Sequence, residues 1–174
     1  MIEKYIERQY DRSVSRIYKL IDVARQEAEK SDCNYRMGAV ITRGNVIYSK
    51  GYNQTRSYFL GRTDMCMHAE MSAVNNFINR YVRRNPKLMS ELRHYTVWCV
   101  RIPGEQSQHD MGNIYHSMPC NICLQRLRHY GFGKIVFTDP QGELRMWKLH
   151  LKISRELKSY YTPVQLFNIK SIRI

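Results

Sequence analysis

Two short stretches decide how this chain reads: Met67-His68-Ala69-Glu70-Met71-Ser72-Ala73-Val74 and Ser117-Met118-Pro119-Cys120-Asn121-Ile122-Cys123-Leu124. Each begins where an apolar helical pattern begins. A Cys-x-x-Cys at a helix start places both sulfurs on one side of the first turn, where unpaired N–H groups and the positive dipole end favour thiolates. Pro119 suits the position ahead of that turn, because its missing N–H costs little there. Cys120, Cys123 and the imidazole of His68 make three zinc ligands. The fourth tetrahedral position is then left for water, which is the open coordination of a catalytic zinc site. Glu70 lies two residues past His68 and can face that water without occupying a ligand position. Zinc lowers the pKa of a bound water toward about 7, and a neighbouring carboxylate can take up and hand on the proton.

Outward from these motifs the chain alternates helices and strands. Residues 13–30 read as an amphipathic helix, with Val14, Ile17, Tyr18, Ile21, Ala24 and Ala28 forming the apolar stripe. The run Ser31-Asp32-Cys33-Asn34 ends it. Strands are predicted over 36–42 and 46–50, joined by the turn Arg43-Gly44-Asn45, and a loop over 51–66. A helix follows from Ala69 to about Tyr81, then a short helical piece over 87–93 beyond Pro86. Residues 95–102 form the clearest strand, and 103–118 a long polar connection. A helix runs from about Cys120 to just before Gly131, followed by a strand over 134–138 and the turn Asp139-Pro140-Gln141-Gly142. In the basic tail, a helix over 150–159 and a strand over 164–174 are expected. No repeat or linker divides the chain, so one α/β domain over 1–174 is expected, with a core of about 13–140 and a basic extension of 141–174.

The chain has 174 residues, a size that one hydrophobic core can serve. With 43% hydrophobic and 25% charged residues it is neither a disordered tail nor collagen-like. No apolar run approaches the roughly 20 residues of a membrane span. The charged opening MIEKYIERQYDRS lacks the apolar core of a secretory signal. Five cysteines, two of them at metal-type spacing, predict a reducing intracellular setting, cytoplasm or nucleus. The net charge of +13 is uneven. Residues 31–90 carry nine cations against three carboxylates and residues 141–174 seven against two, while the remainder is nearly balanced. The densest run is Asn79-Arg80-Tyr81-Val82-Arg83-Arg84-Asn85-Pro86-Lys87. With thirteen tyrosines in the chain, such a run can form a polyanion-binding face or a solvated basic one.

His-x-Glu followed by Pro-Cys-x-x-Cys is the pattern of zinc-dependent base deaminases. Over roughly residues 13–140 the chain resembles the cytidine/deoxycytidylate deaminase superfamily, which also includes tRNA adenosine deaminases. The resemblance is carried by GAVITRGNVIYSKGYN, MHAEMSAV, SMPCNICLQRL and KIVFTD. It implies a three-layer fold, a mixed β-sheet flanked by helices, with one zinc ion between two helix N-termini. It implies His68, Cys120 and Cys123 as zinc ligands and Glu70 as the proton shuttle. It also implies Asn53 as a contact to the substrate sugar and the Ala69 N–H as a donor to the base carbonyl. Forty-eight residues separate Glu70 from Pro119, which is long for the family. The 103–118 connection leads straight into the zinc site, so His109, Asp110, Tyr115, His116 and Ser117 are candidates for substrate contacts or a lid. Cys66 is a weaker candidate ligand, and could join Cys33 and loop histidines in a second, structural zinc site; Cys99, within an apolar strand, reads as core.

The expected activity is hydrolytic deamination of a cytosine nucleotide of the dCMP type to the uracil nucleotide and ammonia. Lys50, Arg56, Arg62 or Arg126 would hold the phosphate. Two alternatives stay open: deamination of cytosine or adenine within RNA or single-stranded DNA, and a deaminase-like nucleic-acid-binding protein without turnover. The resemblance further implies a homo-oligomer.

Overall fold

Side chains in the central strands are buried in alternation toward two different helical layers, and this sets the architecture. The structure is a computed structural model and describes residues 2–59, 62–104, 116–149 and 162–163, with side chains described over 13–55, 66–104 and 116–149. Strands β1 (Arg36–Arg43), β2 (Val46–Tyr52), β5 (Thr96–Ile102), β6 (Lys134–Thr138), β7 (Leu144–Lys148) and β8 (Thr162–Pro163) form one sheet, in the order β2-β1-β5-β6-β7-β8. Among the described residues only the β5–β6 pair is parallel, so the sheet is mixed. Along β1, Val40 points to one face while Ala39 and Ile41 point to the other. In β5, Val97 and Cys99 share one face, and Val100 and Ile102 the other; in β6, Ile135 and Phe137 oppose Val136. Burial on both faces explains why these strands are rich in β-branched and aromatic residues.

Helix α1 (Ile2–Ala28) covers the Val40–Val100 face with Ile21, Ala24 and Ala28. It starts earlier than the 13–30 expected from the apolar stripe. Tyr18 is exposed and Leu20 is buried in its place. The small Ala24 and Ala28 let the helix approach β1 closely. A Cβ on Gly38 would run into the Ala24 carbonyl and the Ala28 nitrogen.

The opposite face carries helix α2 (Ala69–Phe77), the short α3 (Leu88–Glu91) and helix α4 (Asn121–Tyr130). Phe77, Tyr95, Leu127, Phe132 and Phe137 form the centre of that core. Gly51 of β2 sits directly beneath α2, where a Cβ would overlap the backbone of Ala73. Ser49 donates to the Ala73 carbonyl at 2.9 Å and Asn76 donates to the Lys50 carbonyl at 2.8 Å. These contacts fix α2, and with it His68, against the sheet.

Three expectations change. The loop predicted over 51–66 contains an antiparallel hairpin, β3 (Gln54–Phe59) with β4 (Arg62–Met67), which forms its own two-stranded sheet. The helix predicted to reach Tyr81 is α-helical only to Phe77, then π-helical over Ile78–Val82. The tail contributes β7, to which no sequence pattern points. The helix expected over 150–159 and the strand over 164–174 lie outside the described residues.

Candidate metal centre

His68 is the N-cap residue of α2, and Cys120 is the N-cap residue of α4. Both have extended backbone (φ −71°, ψ 151° and φ −67°, ψ 160°), so both side chains leave the chain just before a first helical turn. The Cys120 sulfur accepts the N–H of Cys123 at 3.5 Å, using one of the unpaired donors of that turn. His68 Nδ1 lies 3.4 Å from the sulfur of Cys120 and 3.4 Å from that of Cys123. The three donor atoms all lie within 4.8 Å of one another. A tetrahedral zinc with bonds of about 2.3 Å to sulfur and about 2.0 Å to nitrogen holds N and S donors about 3.5 Å apart. The three residues therefore fit one zinc ion with a position to spare. His68 is exposed and Cys123 is buried, so the triangle is open on one side only.

Glu70 is 1% exposed, and its Oε2 has no hydrogen-bond partner among the described residues. Burial pushes its carboxyl above the ordinary carboxylate range, against the pull of its own backbone N–H, the His68 ring and a hydrogen bond with Cys123. Burial, and then the Glu70 charge, push the Cys123 thiol far above its usual value. A buried carboxylate beside buried sulfur is costly without a positive charge. A divalent cation in the triangle supplies that charge, so the chemistry of the donor set agrees with its spacing.

The peptide leading into Cys120 is held by Ser117, which is 0% exposed. Its hydroxyl bonds the Cys99 carbonyl at 2.8 Å and Thr138 Oγ1 at 2.8 Å, and accepts the Thr138 N–H at 2.9 Å. Its N–H donates to the Thr138 carbonyl at 3.0 Å. Ser117 thus ties the end of the long 103–118 connection to β5 and β6, three residues ahead of a metal ligand. Expected as a substrate contact or lid residue, it is instead a buried anchor.

Asn53 is 7% exposed at the β2–β3 junction. Gln54 pairs with Met67, so the next positions outward, Asn53 and His68, reach the same end of the hairpin. The Asn53 carbonyl oxygen of the side chain accepts the Met37 N–H at 2.7 Å, and its amide donates to the Tyr35 carbonyl at 2.5 Å. One amide hydrogen is left over for a ligand. Ala69 is fully buried in the first turn of α2, where its N–H has no intrahelical acceptor by position. His116 is exposed. His109, Asp110 and Tyr115 lie outside the described residues, as do the side chains of Arg56 and Arg62.

Cys66 is exposed in β4, opposite Thr55, and is not part of the metal-capable group. Among the described residues that group is His68, Cys120 and Cys123 alone; the 105–115 part of the loop whose histidines would complete a site with Cys33 and Cys66 lies outside the described residues. Cys99 is core, at 2% exposure. Lys50 lies 3.9 Å from the Glu27 carboxylate of α1 and lines a groove with Asn76 and Arg80. Among the described residues no helix is long and apolar enough to cross a membrane.

Comparison with known proteins gives the site its context. No curated protein matches the chain. Among solved structures it is similar to a cytidine deaminase from Burkholderia pseudomallei, with 21% identity, 76% of this chain and 91% of that chain covered, and a TM-score of 0.47. It is also similar to the dCMP deaminase of cyanophage S-TIM5 in apo form, with 16% identity, 68% and 78% coverage, and a TM-score of 0.45. Residues 14–139 match the family model of the cytidine and deoxycytidylate deaminase zinc-binding region. That match spans the hairpin carrying Asn53, both metal-bearing helix starts and the Ser117 anchor, and on it the chain belongs to the cytidine and deoxycytidylate deaminase family, whose members are zinc-dependent hydrolytic deaminases.

Proposed function

We propose that the chain deaminates the cytosine of a nucleotide of the dCMP type, giving the uracil nucleotide and ammonia. The observation that supports this most is the buried Glu70, with an unpartnered carboxylate oxygen, beside three donors spaced for one zinc. The basic balance of 31–90 and 141–174 favours a phosphorylated substrate over a bare nucleoside.

Zinc held by His68, Cys120 and Cys123 would activate a water for attack at C4 of the ring. The remaining chemistry belongs to the chain's own side chains. Glu70 accepts the proton that the attacking water gives up and delivers it to ring N3. It then carries the water's second proton to the 4-amino group, which leaves as ammonia as the C4–N bond breaks. Overall one water is consumed, with no change of oxidation state. Its burial keeps competing water from the carboxylate. In this reading the Ala69 N–H would hold the 2-carbonyl oxygen of the base, and Asn53 would meet the sugar with its remaining amide hydrogen.

The test is ammonia release from cytidine, CMP, dCMP, dCTP, single-stranded DNA and tRNA by the purified protein. Turnover highest on dCMP is the expected result. Turnover confined to a polymer, or to adenine, would move the substrate while leaving the zinc chemistry in place.

A further inference from the structure

The densest basic stretch of the chain takes no part in the metal triangle. It follows α2 at the end opposite His68, roughly 20 Å along the helical segment at 1.5 Å per residue. There the helix widens into the π-helical turn Ile78–Val82, closed by the Arg83 N–H on the Ile78 carbonyl at 3.0 Å. Such turns are rare and concentrate at functional positions. A groove of about 650 Å³ opens between this turn and the edge strand β2, lined by Tyr48, Ser49, Lys50, Asn76, Arg80 and Tyr81 among others. The Arg80 guanidinium lies 5.5 Å from the Tyr81 ring centroid, and Tyr81 meets Tyr48 edge-on at 5.3 Å. Beyond the groove the chain exposes Arg83, Arg84 and Lys87. The one carboxylate between residues 79 and 94, Glu91, is held by Arg43 at 2.6 Å. Among the described residues, Arg80, Arg83, Arg84 and Lys87 have no carboxylate partner.

We propose that this flank binds single-stranded nucleic acid, through its phosphates on Arg80, Arg83, Arg84 and Lys87 and through base contact with the groove tyrosines. One phosphate group needs one or two of these cations; four in sequence, left unpaired by the protein, suit a chain of phosphates. Aromatic rings beside a cationic track are the arrangement that tolerates any single-stranded sequence, because every base offers a π-face. The inference goes beyond the deaminase reading and does not depend on it, since the face lies away from the zinc site.

Fluorescence anisotropy with a labelled oligothymidylate separates the two, because thymine has no amino group to remove. The protein is expected to bind this probe with a steep salt dependence. The triple variant R83A/R84A/K87A should bind at least about tenfold more weakly at low salt, with the slope of log K against log salt reduced by about two. R83K/R84K should keep most of the affinity. The control K19A/K30A/K148A removes equal charge elsewhere on the exposed surface and should change affinity less than about twofold. Equal losses in both triple variants would assign binding to diffuse charge and overturn the proposal. So would tighter binding of the matching duplex, or full competition by thymidine triphosphate with no dependence on probe length, which would make the groove a mononucleotide site.

Discussion

Glu70 and Ser117 are both buried polar residues near the metal, and they do opposite things. Glu70 keeps an oxygen unpartnered, while Ser117 spends its hydroxyl on three backbone or side-chain partners. A reacting group needs the first arrangement and a positioning group the second. Glu70→Gln keeps the shape and loses the proton carrier; turnover should fall by about 10²–10⁴-fold, with zinc retained, as read by ammonia release and metal analysis on one sample. Ser117→Ala removes the hydroxyl that bonds the Cys99 carbonyl and both the N–H and the side chain of Thr138. It should cost about 1–3 kcal/mol of stability in denaturant melts and speed zinc loss to a chelator, while Ser117→Thr restores part of both. The metal ligands and Glu70 were legible in the sequence because their chemistry demands residue type and spacing together. The role of Ser117 was not, because its partners, Cys99 and Thr138, lie 18 and 21 residues away along the chain.

Helices were legible where one face is apolar at a regular period, as along α1, and strands where β-branched and aromatic residues run together, as along β5. Strand β7 was not: Leu144 and Met146 serve one layer and Trp147 the other, so its sequence shows no simple alternation. The β3–β4 hairpin was missed for a different reason. It pairs only with itself, and its residues Gln54-Thr55-Arg56-Ser57 carry no apolar pattern. The position of α2 depends on Gly51. Gly51→Ala should push α2 off β2, lower the melting temperature by an overpacking cost of about 1–3 kcal/mol, and weaken zinc retention through His68. The β6–β7 turn is held by Asp139, 3% exposed, which accepts the N–H groups of Gln141 and Glu143 and pairs with Arg145 at 2.6 Å. Burial alone would raise its carboxyl, but these bonds outweigh it and hold the group below its ordinary range. A carboxyl lowered on folding stabilises the fold above its unfolded pKa of about 3.9, and that contribution is lost as pH falls through the folded value. Asp139→Asn should therefore melt earlier than the parent protein at neutral pH, with the gap closing below about pH 4, as followed by circular dichroism.

At the scale of the whole molecule, the sheet separates two tasks. One layer, α1, closes the core; the other, α2 and α4, brings two helix N-termini together from residues 52 positions apart, His68 and Cys120. Most of the net charge of +13 belongs to neither task, since the metal chemistry uses one imidazole, two sulfurs and one carboxylate, and one substrate phosphate needs one or two cations. Its clearest concentration among the described residues lies past the far end of α2, away from the zinc position. Charge is thus a separate property of the surface, to be read by salt dependence, and the reaction is read by product. The central claim, that Glu70 moves protons beside a zinc held by His68, Cys120 and Cys123, is tested most directly by one side-by-side measurement. Ammonia release from dCMP is followed for the parent protein and for Glu70→Gln, each assayed for zinc. One zinc per chain in both, with turnover in the parent alone, is the predicted result. Equal turnover in the two proteins, or turnover by a parent protein that holds no zinc, would contradict it.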